Sequence, residues 1–355
     1  MNILITGGAG FVGSNLAIYL KERYRDSQIY VLDNLKRRGS EFNLERLKES
    51  GIIFIHGDIR SIEDFFELRD KDINLLIECS AEPSVLAGYS GNPYYLVNTN
   101  LNGLINCLEF CKDVKSDIIF LSTSRVYPYD TINSIPVSEN STRFVWDKYD
   151  LNGFSSEFGI SEEFPLNSPR TLYGATKLAG ELFIQEYAQI SGFRYTITRF
   201  GVIAGPWQFG KVDQGVFTLW IMHHYFKKNL KYIGFGGNGK QVRDLLHIDD
   251  LCGLIDLQIK NIDQFNGKIF NAGGGYNVSL SLLETTQICE EITGNRIDIL
   301  KDNNERPGDI IIYITDNRNL TNKFKWSPKR SARDIIQDTF YWIKSNELKI
   351  KKLLN

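Results

Sequence analysis

Tyr173 and Lys177 stand four residues apart in the run Tyr173-Gly174-Ala175-Thr176-Lys177. At that spacing two side chains share one face of a helix, so an ammonium can lie beside a phenol and favour the phenolate. A free tyrosine titrates near about pH 10 and is a poor base at neutral pH, which a neighbouring cation corrects. A surface tyrosine beside a solvated lysine has the same spacing, so the pair needs a context. Thr123 supplies one. It follows the apolar run 118–121 and offers a second hydroxyl where a buried parallel strand would end. A base, the cation that holds it and a second hydroxyl suit proton transfer in an enzyme site.

The first 33 residues are built for a dinucleotide. Asn2-Ile3-Leu4-Ile5-Thr6 reads as a strand running into Gly7-Gly8-Ala9-Gly10-Phe11-Val12-Gly13. Residues 14–24 read as a helix, and 29–32 as a second strand ending in Asp33. The βαβ unit with a glycine-rich first turn places a pyrophosphate over a helix N-terminus. The glycines fit GxGxxG from Gly8 and GxxGxxG from Gly7, with an acid about 20 residues beyond Gly13. A glycine-rich turn that only packs helix on sheet is the alternative. Asp33 can accept from both ribose hydroxyls and would repel a 2′-phosphate, which favours NAD over NADP. Arg37 and Arg38 are the counterweight, since they could neutralise such a phosphate.

The elements that must hold these groups follow a strand–helix rhythm. A helix is expected near 43–49, a strand at 52–55, a helix at 64–68 and a strand at 73–79. A long helix over 94–112 and the strand 118–121 come next. Crossovers at this spacing imply an α/β fold with a Rossmann-type doubly wound parallel sheet, whose ligands collect beyond the C-terminal ends of the strands. Residues 128–170 interrupt the rhythm with Pro128, Pro136, Pro165, Pro169 and several aromatics, among them Phe144, Trp146, Tyr149 and Phe154. A stretch this long without periodicity is expected to be an ordered active-site flap. Then come a helix over 171–191 and a strand over 195–200.

Beyond Gly201 the pattern is mixed. Helices are expected at 215–226, 248–260, 280–293 and 331–344, strands at 232–235 and 297–300, and a turn at 236–240, with Phe270-Asn271 closing another strand. At 355 residues the chain exceeds the usual limit of one core, so two domains are expected. The first is 1–200 joined by parts of 240–275, and the second is a smaller C-terminal α+β unit, mainly 201–345. Lys349, Lys351 and Lys352 read as a solvated tail.

Composition excludes several classes. The formal net charge is −2, with no basic stripe, so nucleic acid is not an expected partner. No leader pattern and no apolar run of membrane-spanning length is present, so neither secretion nor a membrane partner is expected. Cys79, Cys107, Cys111, Cys252 and Cys289 fall mainly in apolar segments and read as reduced core thiols of a cytoplasmic protein. No paired histidines complete a metal site with them, so no metal is expected.

Nearly end to end, the sequence resembles the extended short-chain dehydrogenase/reductase family. The resemblance implies a Rossmann domain binding NAD, joined to a smaller domain that binds a nucleotide sugar. It carries Gly7, Gly10 and Gly13 to the pyrophosphate turn, Asp33 to the adenosine ribose and Asp58 to the adenine, and counts Phe11, Val12, Asn34 and Ile59 among the cofactor-binding residues. Ser80, Ala81 and Asn100 fall near the cofactor pocket. Thr123, Tyr173 and Lys177 match the catalytic residues, the last two also touching cofactor. Arg199 and Gly205-Pro206 match the strand and turn before the substrate domain. Arg243 and Arg306 match arginines that hold a sugar nucleotide's diphosphate, a role suited to the forked guanidinium. For each arginine a domain-bridging salt bridge is the alternative. Ser124, Arg125, Gln208 and Gln214 complete the implied substrate residues. Two departures stand out: many relatives carry a histidine where Glu78 stands, and the stretch between Tyr127 and Tyr173 is long for the family.

The resemblance implies an epimerase that oxidises its sugar transiently to a keto-sugar. The stretches Gln208-Phe209, Asp213-Gln214-Gly215 and 237–244 are most similar to enzymes that invert C2 of a CDP-linked deoxyhexose. A UDP-sugar 4-epimerase would share the same core residues. Nucleotide-sugar 4,6-dehydratases carry Asp-Glu directly after the threonine, where this chain has Ser124-Arg125. A scaffold that merely binds NAD is the remaining reading. Apolar Leu101, Ile105, Leu178, Leu182 and Phe183 on the helices 94–112 and 171–191 imply a homodimer by the same resemblance, or burial beneath the 128–170 flap.

Overall fold

A computed structural model of the chain describes residues 1–89, 92–210 and 214–354, so Asp213 lies outside the described residues. The chain divides into two compact units. The first comprises Met1–Thr123, Leu172–Arg199 and Cys252–Ile269, and the second Ser124–Thr171, Phe200–Leu251 and Phe270–Asn355.

The first unit is organised by a seven-stranded sheet in the order Lys268–Ala272, Tyr195–Phe200, Asp117–Thr123, Ile73–Glu78, Asn2–Thr6, Ile29–Asp33, Ile53–His56. Asn2–Thr6 pairs in parallel with Ile29–Asp33 on one side and Ile73–Glu78 on the other. Strand order reverses there, the place where an open α/β sheet forms its ligand crevice. The strands are near-continuous apolar runs because both faces are covered: Ile3, Leu4, Ile5, Leu76, Ile77, Ile118, Ile119 and Phe120 are all buried. This is the Rossmann-type α/β architecture that the sequence implies.

Three helices differ from expectation in instructive ways. The first starts at Phe11, directly off the glycine turn, and runs to Arg23. The long helix expected over 94–112 is interrupted. An α-turn, Tyr94–Val97, passes through a π-helical turn, Asn98–Asn102, into Gly103–Val114. The extra residue per turn leaves a bulge in the helix, a feature common at functional sites, and it carries the buried Asn100. The expected helix at 64–68 is a longer 3₁₀ segment, Ile62–Lys71.

The helix Leu172–Ser191 sits close to the sheet because Gly180 lacks a side chain: a Cβ there would lie 2.6 Å from Leu104 Cδ2 and 3.3 Å from Phe120 Cζ. Glu181, one residue on, is 1% exposed and takes Arg199 from the strand Tyr195–Phe200 in a two-pronged ion pair, with Nη2–Oε2 at 2.7 Å and Nε–Oε1 at 3.0 Å. Ser122 Oγ donates to the same carboxylate at 2.5 Å. One buried acid thus ties the helix to two strands.

The second unit is α+β. Its sheet centres on Val242–His247, parallel to Val202–Ala204 and Ile312–Tyr313 and antiparallel to Ser279–Ser281. The reading above treats 242–247 as no element, because Arg243 and Asp244 interrupt an otherwise apolar run. Its three neighbours in the sheet supply the pairing that the residues do not advertise. Leu230–Ile233 pairs in parallel with Ile299–Asp302. Capping boxes start the helices Leu282–Thr293, through Ser281 and Glu284, and Ala332–Ser345, through Ser331 and Asp334. The tail is a helix, Glu347–Leu354, rather than solvated coil, and Lys351 pairs with Glu347 one turn away at 2.5 Å.

Residues 128–170 are ordered, as expected, but as short ribbons. Val137–Glu139 pairs with Phe144–Trp146, and Phe154–Ser155 pairs with both Asp150–Leu151 and Gly159–Ile160. Arg143 fastens the segment to its unit, donating to Glu284 at 2.7 Å and Ser279 Oγ at 2.9 Å. Among the described residues no helix is long and apolar enough to cross a membrane, and no cluster of three or more His, Cys, Asp or Glu could hold a metal ion.

Replacing Arg199 by Leu leaves Glu181 buried without its cation. Removing one partner of a buried pair typically costs about 3–5 kcal/mol, so chemical denaturation of Arg199→Leu is expected to lose stability in that range. A loss below about 1 kcal/mol would show that the pair does not hold the helix.

Candidate active site

Two sets of side chains carry the candidate chemistry, one in each unit. In the first unit the glycine turn forms a cradle of backbone. Gly7 adopts φ +64°, and a Cβ there would lie 2.9 Å from the backbone of Cys79 and Ser80. A Cβ on Gly13 would lie 2.3 Å from Gly7 O. Gly10 N donates to Gly7 O at 3.0 Å, and Gly10 opens the helix with no side-chain cap. Phe11 and Val12 form the first turn, half-buried. A tight turn with no room for a side chain at Gly7 or Gly13, leading into a helix N-terminus uncapped by side chains, fits a pyrophosphate.

Asp33 ends its strand beside this turn. Its carboxylate accepts from Ala9 N at 3.0 Å and Leu35 N at 2.8 Å. Burial pushes its titration up, and these N–H groups oppose the rise. The carboxylate is thus fixed in direction at the end of the second strand, where a ribose diol would meet it. Asn34 donates to Asp58 at 2.8 Å, and Asp58 also takes Arg60 Nε at 2.9 Å. Arg60 above all holds Asp58 down, to about 2. The acid expected at the adenine therefore has ionic partners of its own. Ile59 is buried against Gly103, where a Cβ would lie 2.6 Å from Ile59 Cδ1.

Ser80 and Ala81 are half-buried just beyond the strand Ile73–Glu78. Asn100, held in the π-turn, accepts from Glu82 N at 2.8 Å and donates to Thr176 Oγ1 at 3.2 Å. The bulge thereby braces both the loop after the strand and the turn of helix between Tyr173 and Lys177.

Thr123 is the last residue of the strand Asp117–Thr123, and Tyr173 and Lys177 lie in the first turns of Leu172–Ser191. All three belong to the first unit and are buried, at 9%, 8% and 3% exposure. The surface tyrosine beside a solvated lysine is therefore excluded. Lys177 Nζ lies 3.1 Å from Glu78 Oε2 and 4.1 Å from the centre of the Phe120 ring. Glu78 and Glu181 are the buried groups at this site to which the sequence reading gives no role. Each sits where a pattern would expect an apolar residue, at the end of an apolar strand and on the inner face of a helix, and that mismatch was the available signal.

The second unit gathers Arg125, Arg243 and the segment after Arg306. Arg243 Nη2 binds Asp309 at 2.7 Å, and Arg125 Nη1 donates to Gly308 O at 3.0 Å. Burial draws Arg243 down to about 10, with Asp309 opposing. Its ion pair is with a residue of the same unit, so it is not a domain-bridging bridge. Arg306 is half-buried, in the turn where Asp309 N donates to its carbonyl at 3.1 Å. Ser124 is buried in the 3₁₀ turn Ser124–Val126. Gln208 is committed locally, donating to Ile203 O at 2.9 Å and accepting from Thr218 Oγ1 at 2.5 Å. Gln214 is half-buried.

The model of the NAD dependent epimerase/dehydratase family matches residues 3–273. CDP-paratose 2-epimerase of Salmonella typhi is 34% identical over 97% of this chain and 100% of its own length. The solved UDP-glucuronic acid 4-epimerase of Bacillus cereus, in complex with UDP-glucuronic acid and NAD, is 25% identical with TM-score 0.77, covering 97% of this chain and 99% of its own. The UDP-glucose 4-epimerase of Thermotoga maritima, at 24% identity and TM-score 0.78 over 98% of this chain and all of its own, shares the fold.

If Tyr173 is the base, Tyr173→Phe removes proton transfer while leaving the glycine cradle intact. Turnover is expected to fall by about 10²–10⁴-fold with copurifying NAD retained, read by assay beside cofactor release. Near wild-type turnover would exclude the role.

Proposed function

The chain belongs to the NAD dependent epimerase/dehydratase family, and on that premise we propose that it is a nucleotide-sugar epimerase working by transient oxidation of one sugar hydroxyl. The observation that carries the reading is the burial of Thr123, Tyr173 and Lys177 in the same unit as the glycine cradle. NAD is the cofactor, and when bound it supplies a reversible hydride acceptor. Tyr173 takes the proton of the sugar hydroxyl, Thr123 donates to the oxygen as it becomes a carbonyl, and Lys177 holds the phenolate. Inversion requires the keto-sugar to present its other face before it is reduced. Arg243 and Arg306 hold the diphosphate while the sugar turns, in forked, charge-assisted contacts. In this reading the first unit binds NAD, the second binds the nucleotide sugar, and residues 128–170 act as the flap over the sugar.

Epimerisation is favoured over 4,6-dehydration because Ser124-Arg125 stands where elimination would want two acids, and Arg125 is engaged with Gly308. For the substrate, the solved relatives give broader backing to a UDP-sugar inverted at C4. The full-length likeness to the Salmonella typhi protein favours a CDP-linked sugar inverted at C2 as the second reading. Incubation with a panel of UDP- and CDP-sugars, with NMR of the product, separates the two by the carbon inverted. No inversion on any member would reject the epimerase reading.

Two further outcomes are expected. A hydrogen bond to a charged group is worth about 1.5–3 kcal/mol, or roughly 10- to 100-fold in affinity. Arg243→Leu should weaken the sugar nucleotide and the free nucleoside diphosphate by comparable factors in calorimetric titration, with bound NAD kept, and the loss of its ion pair with Asp309 should lower the melting temperature as well. Unchanged nucleotide affinity would remove Arg243 from the substrate site. We also propose a homodimer through the helix Leu172–Ser191, whose Leu182 and Phe183 are 59% and 40% exposed, with Leu101, Ile105 and Leu178 half-buried. Light scattering at micromolar concentration that reports only a 40.6 kDa species would reject it.

A further inference from the structure

The carboxylate of Glu78 takes no part in the chemistry described so far. It closes the strand Ile73–Glu78, in register with Thr6 on one side and Phe120 on the other. It is 1% exposed. The preceding residues of the strand, Leu75, Leu76 and Ile77, are apolar, and a neutral residue would complete the run without the cost of a buried charge. Burial pushes Glu78 up, opposed by the Lys177 ammonium and by a hydrogen bond from the Ser80 backbone.

The groups facing this carboxylate come from three other places in the unit. Lys177, from the helix Leu172–Ser191, is the cation, at 3.1 Å, with its own side chain 3% exposed. Cys79 is next in the chain, and Cys107 comes from the helix Gly103–Val114. Both thiols are driven up first by burial and then by the charge of Glu78, so neither competes as an anion. The ammonium is held by a carboxylate and an aromatic face, on the residue one helical turn after Tyr173.

We propose that Glu78 is a positioning residue for Lys177, fixing the ammonium at the strand end and, by partly neutralising it, holding back its pull on the Tyr173 phenol. The pair then sets the pH at which Tyr173 becomes a base. This inference rests on the reading of Tyr173 and Lys177 as base and partner. Opposite charge favours an anion and like charge disfavours it. Removing the carboxylate leaves the ammonium unopposed, and Tyr173 should give up its proton at lower pH.

The test measures Tyr173 directly, so it needs no substrate. Tyrosinate absorbance is followed against pH for wild type minus Tyr173→Phe, and for Glu78→Gln minus the Glu78→Gln/Tyr173→Phe double variant. The midpoint of the difference is expected to fall by about one pH unit in the Gln background, and the acid limb of turnover should fall with it. Glu78→Asp keeps the charge on a shorter arm, so its midpoint should stay near wild type while kcat falls and KM does not change. An unmoved or raised midpoint in Glu78→Gln, or an equal shift in Glu78→Asp, overturns the proposal. Should Glu78→Gln fail to fold, Glu78→His removes the same carboxylate and must lower the midpoint likewise. If the midpoint moves yet no nucleotide sugar is turned over, the functional reading fails and the pairing stands. If Tyr173→Phe abolishes turnover and the midpoint does not move, the inference alone fails.

Discussion

Buried charge on one helix is the constraint on which the first unit depends. Leu172–Ser191 carries Lys177 and Glu181 on its inner face, one turn apart, and each finds its counter-ion on the sheet. Burying isolated charges of this kind is costly, which favours the docking register in which Lys177 meets Glu78 and Glu181 meets Arg199. Dispersion and apolar burial would tolerate a slip of the helix along the sheet, whereas two ion pairs to different strands would not. Tyr173 inherits that precision because it lies on the same rigid element, one turn before Lys177.

The same economy of position governs the cofactor cradle. Its glycines are demanded by the backbone of Cys79 and Ser80 outside the turn and by the turn's own Gly7 carbonyl. Asn43 reaches back to Ala9 O at 2.8 Å and Asp33 takes Ala9 N, so the loop is held from both sides before any ligand arrives. Preformed donors lose little order on binding an anion.

The second unit uses a buried acid in a different way. Asp244 is wholly buried on the strand that carries Arg243 and accepts from Gly275 N at 3.0 Å and Thr315 N at 3.2 Å. Burial raises it to about 6, against those hydrogen bonds. It therefore stitches the loop after Lys268–Ala272 to the segment after Ile312–Tyr313, while its neighbour Arg243 points the other way from the strand, as alternation requires. The two charges share one strand and differ in which face they occupy.

Local sequence was enough for the parts of this protein whose signal is local. The glycine turn, the acid at the end of the second strand, the Tyr173–Lys177 spacing and the apolar parallel strands are each written in a few consecutive residues, and they appear where that reading puts them. What the sequence could not supply were the outcomes decided by partners distant in the chain. The strand Val242–His247 exists because Val202–Ala204, Ser279–Ser281 and Ile312–Tyr313 flank it. The π-turn at Asn98–Asn102 breaks a pattern that reads as one helix, and its Asn100 bridges Glu82 and Thr176. Glu78 looks like a polar end to an apolar strand until Lys177, 99 residues later, is folded against it. A periodicity reports which face is buried, but only the tertiary structure decides which charges meet there, because a counter-ion's position is a property of the packed chain and not of any window along it.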